Sequence, residues 1–237
     1  MWNRKDLKAH AKVAFKANYW KCVLVSVIIT LLTGAGASGI SSNSSSGTGS
    51  IDGAVNEIQD AIANEPEAFF IVLAIILGIV AIALVISAVI EILVKNPLLI
   101  GTSTFFVDNS TEPAKLGSLT KGFKKGAYLK NVWAMFLKDL FLALGYAVLV
   151  IPGIILTYAF RLVPYILADN PDMKAMDAIK ESVGLMKGNK WKAFVLDLSF
   201  IGWDLLSACT AGILGVFYVA PYKNQTDAEL YKALAGK

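Results

Sequence analysis

Long stretches without a charged residue dominate the chain. The first runs from Cys22 to about Ile40 and the second from Phe69 to about Val94. Each can supply a helix of roughly 20 residues, the length that crosses about 30 Å of hydrocarbon. A third runs from Val132 to Ile151 and stops at Pro152-Gly153; a fourth continues from Ile154 to Ala168. The last apolar stretch, Trp191 to Tyr222, would form a straight helix roughly 48 Å long, too long for one crossing. A break near Thr210-Ala211-Gly212 divides it into two shorter helices. The pattern predicts an all-α, polytopic membrane protein.

Charge placement sets the expected orientation. Arg4, Lys5, Lys8, Lys12, Lys16 and Lys21 precede the first span. The segment from Ser41 to Ala68 carries Asp52, Glu57, Asp60, Glu65 and Glu67, with no Lys or Arg. Lysines return between the second and third spans, after the fourth, and in the tail at Lys223, Lys232 and Lys237. Basic residues stay on the cytoplasmic side of short loops. Both termini are therefore expected in the cytoplasm, with six transmembrane helices arranged as three hairpins. A signal peptide cleaved near Ala35-Gly36-Ala37 is the rival reading of the first span. The long charged region before that span argues against it.

Composition agrees with membrane spans. Of 237 residues, 56% are hydrophobic and only 17% charged, against about 25% charged in soluble domains. The mean hydropathy is +0.59. Cys22 and Cys209 both lie in apolar runs and read as packing residues, which excludes a disulfide framework or a thiol zinc site. The single histidine, His10, leaves little for imidazole catalysis. No zinc-protease helix, phosphate-binding glycine loop or nucleophile elbow is present. The basic loops lack the signals of a nucleic-acid module. The expectation is a protein that is not an enzyme and needs no cofactor or metal.

Three segments align. Asn18-Tyr19-Trp20 leads to Val23 and Ser26, Asn131-Val132-Trp133 to Phe136 and Asp139, and Asn189-Lys190-Trp191 to Phe194 and Asp197. The returning spans end near Pro97, Pro164 and Pro221. The implied repeats cover about 1–98, 113–168 and 173–223, followed by a cytoplasmic tail, 224–237. The first repeat contains a Ser/Gly-rich outer loop, 41–67. Trp20, Trp133 and Trp191 belong at the headgroup level. The preceding Asn can cap the helix as it enters lipid, and proline ends the return helix.

Each copy follows a candidate surface helix. In Asn3–Ala17, Lys5, Lys8, Lys12 and Lys16 share one face, and Leu7, Ala11, Ala14 and Phe15 another. Such a helix lies in the interface and favours anionic lipid, or packs as a plain helix on the bundle. Met173–Met186, with Met176, Ile179, Val183 and Met186 apolar, and Leu116–Phe123 read similarly. In the outer loop, Ser41–Gly53 reads as a tether and Ala54–Ala63 as a short acidic helix.

Ionisable residues inside spans are candidates for function. Here they are Lys138, Asp139, Arg161, Asp197 and Asp204, with Glu91 near an end, spaced to pair with Lys95. Asp139 and Asp197 hold the same repeat position, roughly 12 Å beyond the aligned Asn. They either line a polar centre on an ion or proton pathway, or pair with Arg161 and Lys138 as structural cross-links.

The phrases Phe136-Leu137-Lys138-Asp139-Leu140-Phe141, Ile151-Pro152-Gly153-Ile154-Ile155, Val163-Pro164-Tyr165-Ile166-Leu167-Ala168, Met186-Lys187-Gly188-Asn189-Lys190-Trp191-Lys192 and Asp197-Leu198-Ser199-Phe200-Ile201-Gly202-Trp203 carry a family likeness. So do the Asn-Tyr-Trp-Lys segment at Asn18 and the closing Pro221-Tyr222 with Thr226, Ala228 and Tyr231. The sequence resembles, over nearly its whole length, the bacterial integral-membrane family named domain of unknown function 975, found mainly in Gram-positive bacteria. The resemblance implies a plasma-membrane protein and supplies no catalytic residues. The expected role is contact with membrane lipids, anionic headgroups included, or with a protein partner or second copy, as in envelope or antimicrobial-peptide tolerance. The alternative is a small-solute or ion transporter or channel using Asp139 and Asp197.

Overall fold

The computed structural model describes residues 2–32, 66–124 and 126–237. The Ser-rich tether, the acidic helix expected over Ala54–Ala63, the cleavage signal at Ala35-Gly36-Ala37 and the far end of the first apolar run lie outside the described residues. The chain divides into a main unit, Met1–Gly36 with Ile92–Lys237, and a second unit, Ala37–Glu91.

Among the described residues all regular structure is helical. In the second unit, α3 spans Pro66–Ile90, and its described side chains from Phe70 onward are exposed and almost entirely apolar. The main unit holds α1 (Arg4–Ala17), α2 (Tyr19–Leu32), α4 (Asn96–Asn109), α5 (Tyr128–Val148), α6 (Val150–Ala159), α7 (Val163–Asp169), α8 (Ala175–Met186), α9 (Lys190–Leu198), α10 (Ile201–Cys209) and α11 (Ala220–Ala235). Among the described residues, three helical stretches are long and apolar enough to cross a membrane: Leu73–Asn109, Tyr128–Val148 and Val150–Asp169. A fourth is added if α1 and α2, bent by 101° at Asn18, count as one broken span.

The core sits where the apolar runs end. Asn3 caps α1, its side chain accepting from the Lys5 amide at 3.1 Å. Leu7, Ala11 and Phe15 recur every four residues, so they share a face, and α1 packs on α11. The Lys5, Lys12 and Lys16 side chains stay exposed. α4, expected as loop, is mostly buried and contacts α7, α11 and a 3-10 helical segment, Leu116–Phe123. That segment is docked through glycine. A Cβ on Gly101 would lie 2.7 Å from the Leu119 carbonyl carbon, and one on Gly122 would lie 2.8 Å from that of Pro97. No side chain larger than hydrogen leaves room for so close a backbone approach.

The third apolar run ends earlier than expected. Leu149 is extended at φ −162°, ψ 152°, and α6 begins at Val150. Pro152 falls in the first turn of α6, where a missing N–H costs nothing. The α5–α6 hairpin is tied by Tyr146 Oη and Thr157 Oγ1 at 2.9 Å. The expected break at Thr210-Ala211-Gly212 is present, with Ala211 at φ 50° and Gly212 at φ 83°.

The prolines do not end the returning helices. An irregular segment precedes each one and ends two residues before it: a π-helical turn at Glu91–Lys95 before Pro97, a turn over 160–162 before Pro164, and a π-helical turn at Gly215–Val219 before Pro221. Proline lacks an N–H and crowds the carbonyl four residues back, so the helix must widen or break there. The carbonyls left over find other donors. Leu93 O accepts from Tyr128 Oη at 2.8 Å, Phe217 O from Tyr19 Oη at 3.2 Å, and Phe160 O from the Val163 amide at 3.2 Å. Regular helix then resumes as α4, α7 and α11.

The three aligned asparagines make no side-chain cap on the helices they lead into. Asn18 ends α1, and its amide donates to Asn109 Oδ1 at 2.8 Å and Ala114 O at 3.0 Å. Asn131 lies within α5 and donates to Gly122 O at 3.2 Å. Asn189 accepts from Trp2 Nε1 at 3.1 Å. Asn18 and Asn131, buried at helix crossings, spend their amides on tying two segments together, because a buried side chain needs partners more than the adjacent turn does; Asn189 donates locally to Leu185 O at 3.2 Å.

Candidate functional site

The most densely connected charges centre on Arg161. It occupies the turn between α6 and α7. Ser182, buried on α8, clamps that turn: its Oγ donates to Ala159 O at 2.7 Å and accepts from the Leu162 amide at 3.3 Å. Arg161 Nη1 then meets Asp197 Oδ2 at 2.8 Å, and Nη2 meets Asp197 Oδ1 at 2.8 Å. This two-pronged contact matches the planar fork of a guanidinium to a carboxylate. Nη2 also lies 2.6 Å from Asp227 Oδ1. Tyr158 donates its hydroxyl to Asp197 Oδ2 at 3.0 Å. One arginine thus joins the α6–α7 break, α9 and α11. One cation faces two carboxyl groups.

Asp139 stands apart. Its Oδ1 lies 3.0 Å from Lys138 Nζ, and its side chain is 47% exposed. Among the described residues Asp139 and Asp197 share no hydrogen-bond or ion-pair partner, so the geometry gives each its own cation. Asp204 is exposed on α10. At the aligned position in the first segment, Ser26 accepts from Asn224 Nδ2 at 3.1 Å. Asn224 sits one helical turn before Asp227, so α11 reaches toward both Ser26 and the Arg161 cluster.

Asp227 was not legible as a site residue, because a Lys-containing polar tail reads as solvated. Thr226, Ala228 and Tyr231 in the same helix are fully or almost fully buried. Their spacing was the available signal that α11 packs inward.

A neutral network lies nearby in the core. Asn109 donates to Gln225 Oε1 at 2.9 Å, to Ala14 O at 3.0 Å and to Cys22 Sγ at 3.4 Å. Gln225 in turn donates to Phe106 O and Ser110 Oγ. Cys22 is buried as expected, whereas Cys209 is exposed.

Of the four α1 lysines, Lys8 departs from the expected face. Its Nζ donates to Ser199 O at 3.3 Å and Ser199 Oγ at 3.1 Å, and sits 3.9 Å from the Phe200 ring centre. Burial first, and the Arg4 charge second, lower its pKa from the ordinary lysine value. The three aligned tryptophans share one pattern of exposure. Trp20, Trp133 and Trp191 are 74%, 58% and 72% exposed, while Cys22, Met135 and Ala193, two residues further on, are each 0% exposed. Trp133 and Trp191 meet Phe136 and Phe194 in the same way, with ring centres 5.7 and 5.2 Å apart and planes at 31° and 32°.

No curated protein and no solved structure matches the chain. A family model described as "Protein of unknown function (DUF975)" matches residues 146–237. The match is narrower than the resemblance read from the sequence, since the Phe136–Phe141 phrase and the Asn-Tyr-Trp-Lys segment fall before it. Residues 146–237, which hold Arg161, Asp197 and Asp227, match the same family that the sequence resembles.

Proposed function

We propose that the chain is a multi-pass plasma-membrane protein that acts without enzymatic chemistry, through contacts with lipid and protein. In this reading six spans form three repeated hairpins, both termini are cytoplasmic, and the role lies in the envelope or in antimicrobial-peptide tolerance. The observation that carries it is the shared exposure of Trp20, Trp133 and Trp191 beside buried Cys22, Met135 and Ala193. Three rings turned outward at matching positions suit a belt at the membrane–water interface. The broad exposed apolar surface, including Val148, Leu149, Val150 and Ile151, supports it further. So large a patch is stable against hydrocarbon and a liability in water.

The transporter reading loses ground because Asp139 and Asp197 have separate partners, and because Arg161 engages two carboxylates at once. Pairing of this kind suits a cross-link.

Reconstituted protein with one tryptophan retained at a time, in vesicles of lipids brominated at defined depths, tests the reading. All three tryptophans should be quenched most by bromine near the headgroups. Quenching at unrelated depths would sink the belt. The same vesicles should show no proton or ion flux; a flux abolished by Asp139→Asn with Asp197→Asn, in a folded protein, would establish the transporter instead.

A further inference from the structure

A cavity of about 440 Å³ opens between α4, the 3-10 segment and the end of α7. Its apolar walls include Ile100 and Leu167, both buried. Its polar lining includes Thr104, Lys121, Lys124 and Asn131. Two features of this lining are unusual. Asn131 is fully buried, and its Nδ2 donates to Gly122 O at 3.2 Å, which fixes the amide orientation. Its Oδ1 has no hydrogen-bond partner, alone among buried side-chain polar atoms of the described residues. A buried acceptor without a donor costs about 1–3 kcal/mol. The second feature is charge. Lys121 Nζ is 2.9 Å from Asp108 Oδ2; Lys124 forms no ion pair among the described residues.

These groups ask for complementary chemistry. The lysines ask for an anion. Asn131 Oδ1 asks for an O–H or N–H donor. Thr104 Oγ1, which already donates to Ile100 O at 2.9 Å, retains lone pairs to accept one more bond. A phosphate ester carrying a nearby free hydroxyl offers all of these; a phosphocholine group, with no donor and no net charge, offers neither the charge nor the donor.

We propose that this cavity binds the phosphate of a polyol phosphate ester, Lys124 and Lys121 holding the anion and Asn131 taking a hydroxyl. The proposal builds on the lipid-contact reading and narrows it to one headgroup class. The same chemistry is present in a phosphatidylglycerol headgroup and in soluble glycerol 3-phosphate, and the test separates the two.

The full chain is purified into nanodiscs of phosphatidylcholine with a minor share of phosphatidylglycerol, and retained lipid is counted by native mass spectrometry. Retention of phosphatidylglycerol should exceed its share. Lys124→Glu with Lys121→Gln, at exposed positions that leave folding intact, should cut that enrichment about tenfold, the loss expected from a charge-assisted bond. Lys5→Gln with Lys12→Gln and Lys16→Gln, which leave the cavity lining untouched, should lower it by much less. Enrichment lost only in the α1 set overturns the cavity and leaves the lipid-contact reading standing. No enrichment, with tryptophans still quenched at headgroup depth, also overturns the cavity alone; no enrichment and no such quenching removes both. In a second arm, glycerol 3-phosphate is titrated into detergent-purified protein. Displacement of retained phosphatidylglycerol by it, abolished in the Lys124/Lys121 variant, supports the cavity with a soluble source. Equal displacement by inorganic phosphate overturns the role given to Asn131.

Discussion

Arg161 Nη2 lies 2.6 Å from Asp227 Oδ1 while the same guanidinium grips Asp197, so a residue of the last helix closes a cluster begun 66 positions earlier. Desolvation makes such clusters costly to break and cheap to replace whole. Arg161→Met should therefore destabilise the protein by about 3–5 kcal/mol, because two carboxylates lose their cation. Asp227→Asn should cost less, since Asp197 still holds Arg161. Replacing Arg161, Asp197 and Asp227 together by Met, Asn and Asn should recover most of the loss. Thermal unfolding followed by helical circular dichroism in detergent measures all three; a triple variant less stable than Arg161→Met would contradict the account.

Tyr128 and Pro97 are coupled through one carbonyl. Tyr128→Phe removes the hydroxyl that serves Leu93 O and should cost about 1 kcal/mol. With Pro97→Ala, the backbone N–H at 97 returns and can serve that carbonyl itself. The cost of Tyr128→Phe should then shrink in the Pro97→Ala background, which a double-mutant cycle reads directly.

Gly101→Ala and Gly122→Ala should each destabilise by about 1–3 kcal/mol or more, since the added carbon meets backbone rather than a movable side chain. Gly117→Ala, with open space around it, should change stability little. Equal effects at Gly101 and Gly117, measured by urea unfolding in micelles, would show that the 3-10 segment is not docked as described.

Tyr231 donates to Asp169 Oδ2 at 2.6 Å. Burial, then the Asp169 hydrogen bond and charge, push its pKa upward. The folded state thus holds this proton more tightly than the unfolded chain. That stability is fully present below the ordinary tyrosine value near 10 and drains away as pH rises through the higher folded value. Melting temperatures should fall above about pH 10, and Tyr231→Phe should flatten that limb while lowering stability at neutral pH. An unchanged alkaline limb in the variant would assign the effect elsewhere.

How far the sequence carried can be judged at particular residues. Hydrophobic length and period made the helices legible, including the break at Thr210–Gly212, because long apolar runs bounded by small and polar residues favour helix over loop. The sequence left open whether Asp139 and Asp197 line a polar centre or pair with Arg161 and Lys138, since spacing along the chain does not say which charges meet; Arg161 lies against Asp197 and Lys138 against Asp139. The continuation of α4, α7 and α11 beyond their prolines was not legible, since the carbonyl freed by Pro97 or Pro221 is rescued by a tyrosine far along the chain. Asp227 stayed hidden for a similar reason: tertiary packing, not local pattern, draws it inward.

The pairing of α1 with α11 bears on how the protein is made. Leu7, Ala11 and Phe15 leave the ribosome long before the helix that covers them, α11, is synthesised. Tyr222, which donates to Lys8 O at 3.2 Å, joins the two only then. Until then α1 must wait with a greasy face uncovered. Premature termination anywhere before residue 220 would leave that face exposed for good, a mark by which quality-control proteases could recognise an unfinished chain.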